Sequence, residues 1–227
     1  MNIYLIRHTE VAVERGVAYG QTDVALADTY DEQRDHLLRH LPENPAAVFS
    51  SPLSRCRRLA EDLARTLVGS QIEVALGQTR LVDSPGVDSP VMDMTGVDAQ
   101  PPAVQYDDRL KEYFFGDWEM MTWDAIGREK LDIWMADFVS IATPNGENFT
   151  DLATRVRAFW AEEIIPLGEK QAGQSVLVVS HGGVIRALLC ILLELPLQNA
   201  YRLNLDYGAV TKLTLVGDSC TVQYINR

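Results

Sequence analysis

The chain has 227 residues, 47% hydrophobic and 23% charged, with a formal net charge of −12. That length suits one large α/β domain or two small ones, and the acidity argues against nucleic-acid binding, which needs a basic face. The longest apolar run (187–193) is too short to span a bilayer, no signal-peptide pattern precedes Arg7, and Cys56, Cys190 and Cys220 are few, odd in number and widely spaced; the expectation is a cytoplasmic protein with reduced thiols, away from membranes.

Residues 2–6 read as a short buried strand that stops at Arg7-His8. Residues 11–27, with Gly16 and Gly20, read as a loop over that strand end, and Tyr19-Gly20-Gln21-Thr22-Asp23 is its best-defined part. Residues 29–41 have helical spacing, ended by Pro42 to Pro45. Residues 46–49 are a second buried strand running into Ser50-Ser51-Pro52-Leu53-Ser54-Arg55. Ser51 is a suitable N-cap and Pro52 a suitable first helical residue, so the helix through Leu59, Leu63 and Leu67 to Gly69 carries Arg55 in its first turn. Backbone donors and the helix dipole favour an anion there.

Residues 72–76 are expected to be a third strand, and 81–105, rich in Pro, Gly, Asp and Ser, a long loop. The stretch 109–119 mixes aromatics and charges, and 120–139 reads as one or two helices broken near Gly127. Asn148 or Thr150 caps a helix whose apolar face is Leu152, Val156, Phe159, Trp160 and Ile164, with Pro166 ending it. Residues 175–180 are the clearest buried strand, ending at His181-Gly182-Gly183 before a buried helix over 184–193. A hairpin around Gly217-Asp218 closes the chain.

Alternating strands and helices imply a mostly parallel α/β sheet with helices on both faces, followed by a C-terminal β-hairpin. Ligands of such sheets bind beyond the carboxyl ends of the strands. Arg7, His8, Arg55 and His181 all stand at such ends, and the topology should bring them to one edge. In a chain this acidic, an arginine cluster is informative, because a site for a phosphorylated ligand must supply its own positive potential. Arginine offers a planar fork of donors to phosphate oxygens, and a neutral imidazole nitrogen is a nucleophile. A carboxylic acid must protonate the leaving oxygen. Glu112 is best placed by context, since aromatic surroundings favour the protonated form, with Asp117 and Glu119 as competitors.

These residues resemble a known family. Arg7-His8-Thr9-Glu10 is similar to the RHG-type signature of the histidine phosphatase (phosphoglycerate mutase-like) superfamily. Ser50 to Arg55, Leu110 to Glu119, and Ser180-His181-Gly182-Gly183-Val184-Ile185-Arg186 resemble its other three blocks, in the family's order. The resemblance implies a single domain over 1–227, with 106–150 a cap-like insertion over the site. It implies His8 as phosphohistidine nucleophile, Arg7, Arg55 and His181 as holders of the phosphoryl oxygens, Glu112 as proton donor and then base, and no metal or other cofactor. Tyr19-Gly20-Gln21-Thr22-Asp23, with a threonine after the histidine, resembles the α-ribazole phosphatases and makes Tyr19, Gly20 and Gln21 the candidate substrate-binding residues. Thr9 stands where the family has glycine, and Asn148 where it commonly has serine.

The expected activity is hydrolysis of a small phosphorylated metabolite, with α-ribazole 5′-phosphate as the substrate implied. A broad-specificity phosphatase or a phosphoglycerate mutase is the alternative within the superfamily. A metal-dependent hydrolase on His8 and His181 is disfavoured because adjoining arginines repel a cation, and a non-catalytic phosphate-binding protein would not need both His8 and Glu112. A homodimer stays open. Tyr19, Trp118 and Trp123 have two readings, packing or stacking on a flat base. Arg186 is read as structural and turned away from the phosphate, His36 and His40 as surface residues, and Cys56 as a small buried residue.

Overall fold

The computed structural model describes residues 1–78 and 102–227, the side chains of 68–78 excepted. In chain order the elements of the first half are β1 (Asn2–Arg7), β2 (Val17–Ala18), α1 (Tyr30–Leu38), β3 (Ala47–Ser50), α2 (Ser54–Gln78) and β4 (Val104–Tyr106). Then come β5 (Met121–Thr122), α3 (Trp123–Ile126), α4 (Arg128–Ala136), α5 (Phe149–Phe159) and α6 (Ile165–Lys170). The chain ends with β6 (Ser175–Ser180), α7 (Gly182–Leu192), β7 (Val210–Val216) and β8 (Ser219–Tyr224).

The main sheet has the order β4-β3-β6-β1-β7-β8. Its first four strands are parallel, and β7 and β8 add an antiparallel hairpin at the β1 edge. This is the mostly parallel α/β sheet that the alternating pattern predicts. The central strands are apolar on both faces because both faces are covered. Ile3, Leu5, Phe49, Val176 and Val178 point into a core shared with α5 and α7, through Leu152, Val156 and Leu188. Tyr4, Ile6, Val48, Leu177 and Val179 point into a second core under α1 and α2, through Leu37, Leu59 and Leu63. Each of those fully buried leucines contributes about 1.5–3 kcal/mol of apolar burial.

Several local expectations are corrected. Residues 72–76 are not a strand; α2 runs through them to Gln78, so β-branched character at Ile72 and Val74 is overridden by continuation of an existing helix. That helix begins at Ser54 rather than Pro52, and its start is capped from outside, by Asp23 Oδ1 accepting from the Ser54 amide at 2.8 Å. Helix α1 stops at Leu38, short of 41. Pro166 does not end its helix: α5 passes through a π-helical segment (Trp160–Ile164) into α6, whose first turn takes the proline. The wider turn dispenses with the amide that proline lacks. Of the loop expected over 81–105, positions up to 101 lie outside the described residues, and Val104 and Gln105 belong to edge strand β4.

The break at Gly127 falls as expected, between α3 and α4, at φ +88°. Asn148 caps α5 in a capping box with Asp151. A two-stranded sheet pairs Val17 with Thr122 and Ala18 with Met121, tying the 11–27 loop to the 106–150 segment. Among the described residues no helix is long and apolar enough to cross a membrane.

Candidate active site

The pairing of β1 with β6 sets Arg7 opposite Ser180. The next residue on each strand is therefore a histidine, and the His8 and His181 rings lie 5.1 Å apart. On the other side of β6, β3 ends at Ser50, and the Ser51 amide donates to Val179 O at 3.0 Å. Arg55 follows in the first turn of α2. The order β3-β6-β1 thus brings Arg55, His181 and His8 to one edge, and all three are fully buried.

His8 Nδ1 lies 2.7 Å from Thr9 O. A carbonyl only accepts, so Nδ1 carries the proton and Nε2 keeps its lone pair. Nε2 is buried with no hydrogen-bond partner among the described residues. Burial, then the charges of Arg55 and Arg7, hold this imidazole's pKa well below its ordinary value, so it is neutral near pH 7. The Thr9 contact to His8 is made by a main-chain carbonyl, which any residue supplies. His181 is also held low, by burial and then by Arg55 and His8, and its Nε2 lies 2.8 Å from Ser51 Oγ.

The two guanidiniums are anchored by backbone carbonyls. Arg55 donates through Nη1 to Thr22 O at 3.0 Å and through Nη2 to Gly20 O at 2.6 Å. Arg7 donates through Nη1 to Leu205 O at 2.5 Å. The Nε atoms of both are buried without a partner among the described residues. Tyr19 lies under Arg55, 5.1 Å from its guanidinium carbon, and its hydroxyl is 3.0 Å from that of Tyr207. Gly20 takes φ +42°, and a side chain there would run into Glu119, Tyr113 and Phe115. The Gln21 side-chain amide donates to Glu112 O at 2.9 Å.

Glu112 meets the same edge from the 106–150 segment. The Gly183 amide, in the first turn of α7, donates to both its carboxylate oxygens, at 3.1 and 3.2 Å. A Cβ at position 183 would meet Glu112 Oε1 and displace the carboxylate. Arg155 fixes the backbone on either side, donating to Arg109 O at 2.7 Å, Lys111 O at 2.6 Å and Glu112 O at 2.9 Å. Glu147 accepts from Arg155 at 2.7 Å and holds it in turn. Ser180 Oγ donates to Leu110 O at 2.9 Å, locking the strand end to this segment. The competing carboxylates are occupied elsewhere: Glu119 accepts from the Gln21 amide and Thr22 Oγ1, and exposed Asp117 accepts from Asn145.

Sequence reasoning missed Arg155 and Tyr207. Arg155 carried a usable signal, an arginine on a helix whose opposite face is fully apolar and whose cap follows a glutamate. Tyr207 carried none. Arg186 donates to Leu203 O at 3.0 Å and packs over Tyr201, a structural role; its Nη1 nevertheless comes close to Gly182, on the side of Arg7. Cys56 is buried with Sγ 3.4 Å from His181 Nε2, and burial pushes its thiol up. The His36 and His40 rings lie 4.9 Å apart, and no cluster of three or more metal-ligating side chains occurs among the described residues. Of the three aromatics with two readings, Trp118 is packed in the core against Trp134, while Tyr19 and Trp123 are half-buried, Tyr19 against Arg55 and Trp123 against Phe115 and Trp134.

The model of the histidine phosphatase superfamily, branch 1, matches residues 3–76 and 96–227. A Hydrogenobacter thermophilus protein provisionally named phosphoserine phosphatase 2 is 25% identical over 230 residues, covering 99% of this chain and 95% of that one. The adenosylcobalamin/α-ribazole phosphatase of Escherichia coli is 34% identical over 129 residues, 54% of this chain and 60% of that one. The crystal structure of the α-ribazole phosphatase from Shigella flexneri superimposes with a TM-score of 0.75 at 25% identity, covering 100% of this chain and 96% of that one. A sheet edge that gathers two histidines and two arginines, in a chain matched almost end to end, places this protein in branch 1 of the histidine phosphatase superfamily, as a phosphatase.

Proposed function

We propose that the chain hydrolyses phosphomonoesters through a phosphohistidine on His8. The observation that carries this reading is the state of His8: a buried, neutral imidazole whose Nε2 has its lone pair free, beside two guanidiniums. In the proposed cycle the Nε2 lone pair forms a bond to phosphorus as the bond to the leaving oxygen breaks. Glu112 gives its proton to that oxygen. Arg7, Arg55 and His181 stabilise charge on the equatorial oxygens. Glu112, now a carboxylate, takes a proton from water, the water oxygen attacks phosphorus, and the electrons of the P–N bond return to Nε2 as inorganic phosphate departs. Residues 106–150, which supply Glu112, act as a cap over the sheet edge.

The substrate favoured is α-ribazole 5′-phosphate. Its support is the match to α-ribazole phosphatases and the Tyr19-to-Asp23 segment, in which Gly20 and Thr22 carry the carbonyls that hold Arg55. A second reading, phosphoserine hydrolysis, is favoured by the Hydrogenobacter thermophilus relative, matched over 99% of this chain and 95% of its own. A turnover screen over α-ribazole 5′-phosphate, phosphoserine, phosphoglycerates and sugar phosphates separates them. His8→Ala is expected to abolish turnover with the fold intact, and unchanged turnover rejects the nucleophile. Glu112→Gln is expected to slow alkyl esters far more than nitrophenyl phosphate, whose leaving group needs less protonation; equal losses move the acid role elsewhere.

A further inference from the structure

The 106–150 segment that carries Glu112 also walls a cavity of about 560 Å³, within the roughly 300–1,000 Å³ typical of small-molecule sites. Phe115, Trp123, Leu131, Trp134, Met135 and Tyr201 line it. Trp123 and Trp134 are stacked, with ring planes 13° apart, and Phe115 meets Trp123 edge-on. The indole N–H of Trp134 is already spent on Tyr113 Oη at 3.3 Å. A polyhydroxylated group would find few partners on these walls, whereas a flat ring would find faces and edges.

Two of the cavity's walls are linked to elements that carry the site. Phe115 is three residues past Glu112, and its ring packs 4.7 Å from that of Tyr113, the residue next to Glu112. Tyr201 lies 5.3 Å from the guanidinium carbon of Arg186, whose Nη1 sits against Gly182 beside Arg7. In a displacement by His8 the leaving oxygen faces Glu112, and whatever that oxygen carries must extend past Glu112.

We infer that this aromatic cavity is the leaving-group subsite, and that it selects phosphomonoesters whose alcohol carries a flat aromatic ring. The inference rests on the hydrolase reading above, and the base of α-ribazole is one group of this class. It also divides the aromatics singled out in the sequence: Trp123 serves the subsite, Trp118 packs the core, and Tyr19 supports Arg55.

The test compares 2-(1-naphthyl)ethyl phosphate with butyl phosphate. Both are esters of primary alkyl alcohols, so leaving-group chemistry is matched and the difference reads the subsite. Wild-type enzyme is expected to favour the naphthyl ester in kcat/KM by roughly 10- to 100-fold, the scale on which apolar pockets discriminate. Met135→Glu, at the exposed rim, and Leu131→Asn are expected to bring the ratio near unity through KM, with unfolding temperature retained. Equal kcat/KM for the two esters in wild type overturns the subsite and leaves the hydrolase reading standing. If neither ester is hydrolysed, the hydrolase reading is decided by the turnover screen above. The cavity is then judged by calorimetric titration with 2-(1-naphthyl)ethanol, where binding weakened by Met135→Glu supports it and absence of binding overturns it.

Discussion

The guanidinium carbon of Arg7 sits 3.8 Å from the centroid of the Tyr207 ring. The same ring lies 5.5 Å from His8, and its hydroxyl meets that of Tyr19. Arg7 is thus held by one carbonyl and one aromatic face, with its Nε left unpartnered. A cation–π contact in a partly desolvated place contributes about 0.5–2 kcal/mol. Tyr207→Leu is expected to lower kcat/KM by roughly 2- to 30-fold. Tyr207→Phe keeps the ring face and is expected to lose less. Steady-state kinetics on both variants checks this, and equal losses would assign the effect to the Tyr19 contact instead.

Arg155 predicts a larger loss. One guanidinium serves three consecutive-region carbonyls and the Glu147 carboxylate. Arg155→Leu leaves Arg109 O and Lys111 O without this donor and Glu112 O and Glu147 with fewer, at a cost of about 3 kcal/mol. Arg155→Lys should recover little, because a point charge cannot reproduce a planar fork. Chemical denaturation measures the stability, and turnover of an alkyl phosphate should fall with it as the Glu112 backbone loosens.

Gly183→Ala separates stability from activity. Alanine suits a helix slightly better than glycine, by up to about 1 kcal/mol, but its Cβ would displace the Glu112 carboxylate. The expected result is an unfolding temperature within a few degrees of wild type. Turnover of alkyl esters should fall by roughly 10²-fold, the lower range of a general acid's contribution, with a smaller loss on nitrophenyl phosphate. Unchanged alkyl turnover would remove the link between Gly183 and the proton donor.

The buried histidines predict an acid-sensitive fold. The pKa values of His8 and His181 are both held below the ordinary 6.5, so below that pH the unfolded chain binds protons that the folded chain does not. Stability is therefore complete above about pH 6.5 and falls as pH drops through it. The slope reaches up to about 1.4 kcal/mol per pH unit for each ring. Denaturation curves between pH 7.5 and 5 check this. His181→Gln should roughly halve the slope, and a flat wild-type profile would contradict buried neutral rings.

The reach of the primary structure can be followed through particular residues. Continuous apolar runs in β1, β3 and β6 announced strands covered on both faces, because a strand's side chains alternate and all of them here needed burial. The chemical types at the strand ends, Arg7-His8, Arg55 and His181, were legible for the same reason: charged groups ending apolar runs have no place in a core. Glu112 was legible only by context, and the strand expected over 72–76 failed because local β preference yields to a helix already under way.

The sequence pointed to one shared edge for these residues, but not to the particular pairings across distance. That Arg7 pairs with Ser180, setting His8 beside His181, follows from a sheet order with β6 between β1 and β3, which no local period encodes. Arg155 and Tyr207 entered the site only once α5 and the loop before β7 had packed against residues far away in sequence, Tyr207 lying 200 positions from Arg7. Side-chain chemistry and periodicity are properties of neighbours along the chain, whereas the phosphate site is made of neighbours in space, chosen by strand register and by which buried donors still needed an acceptor.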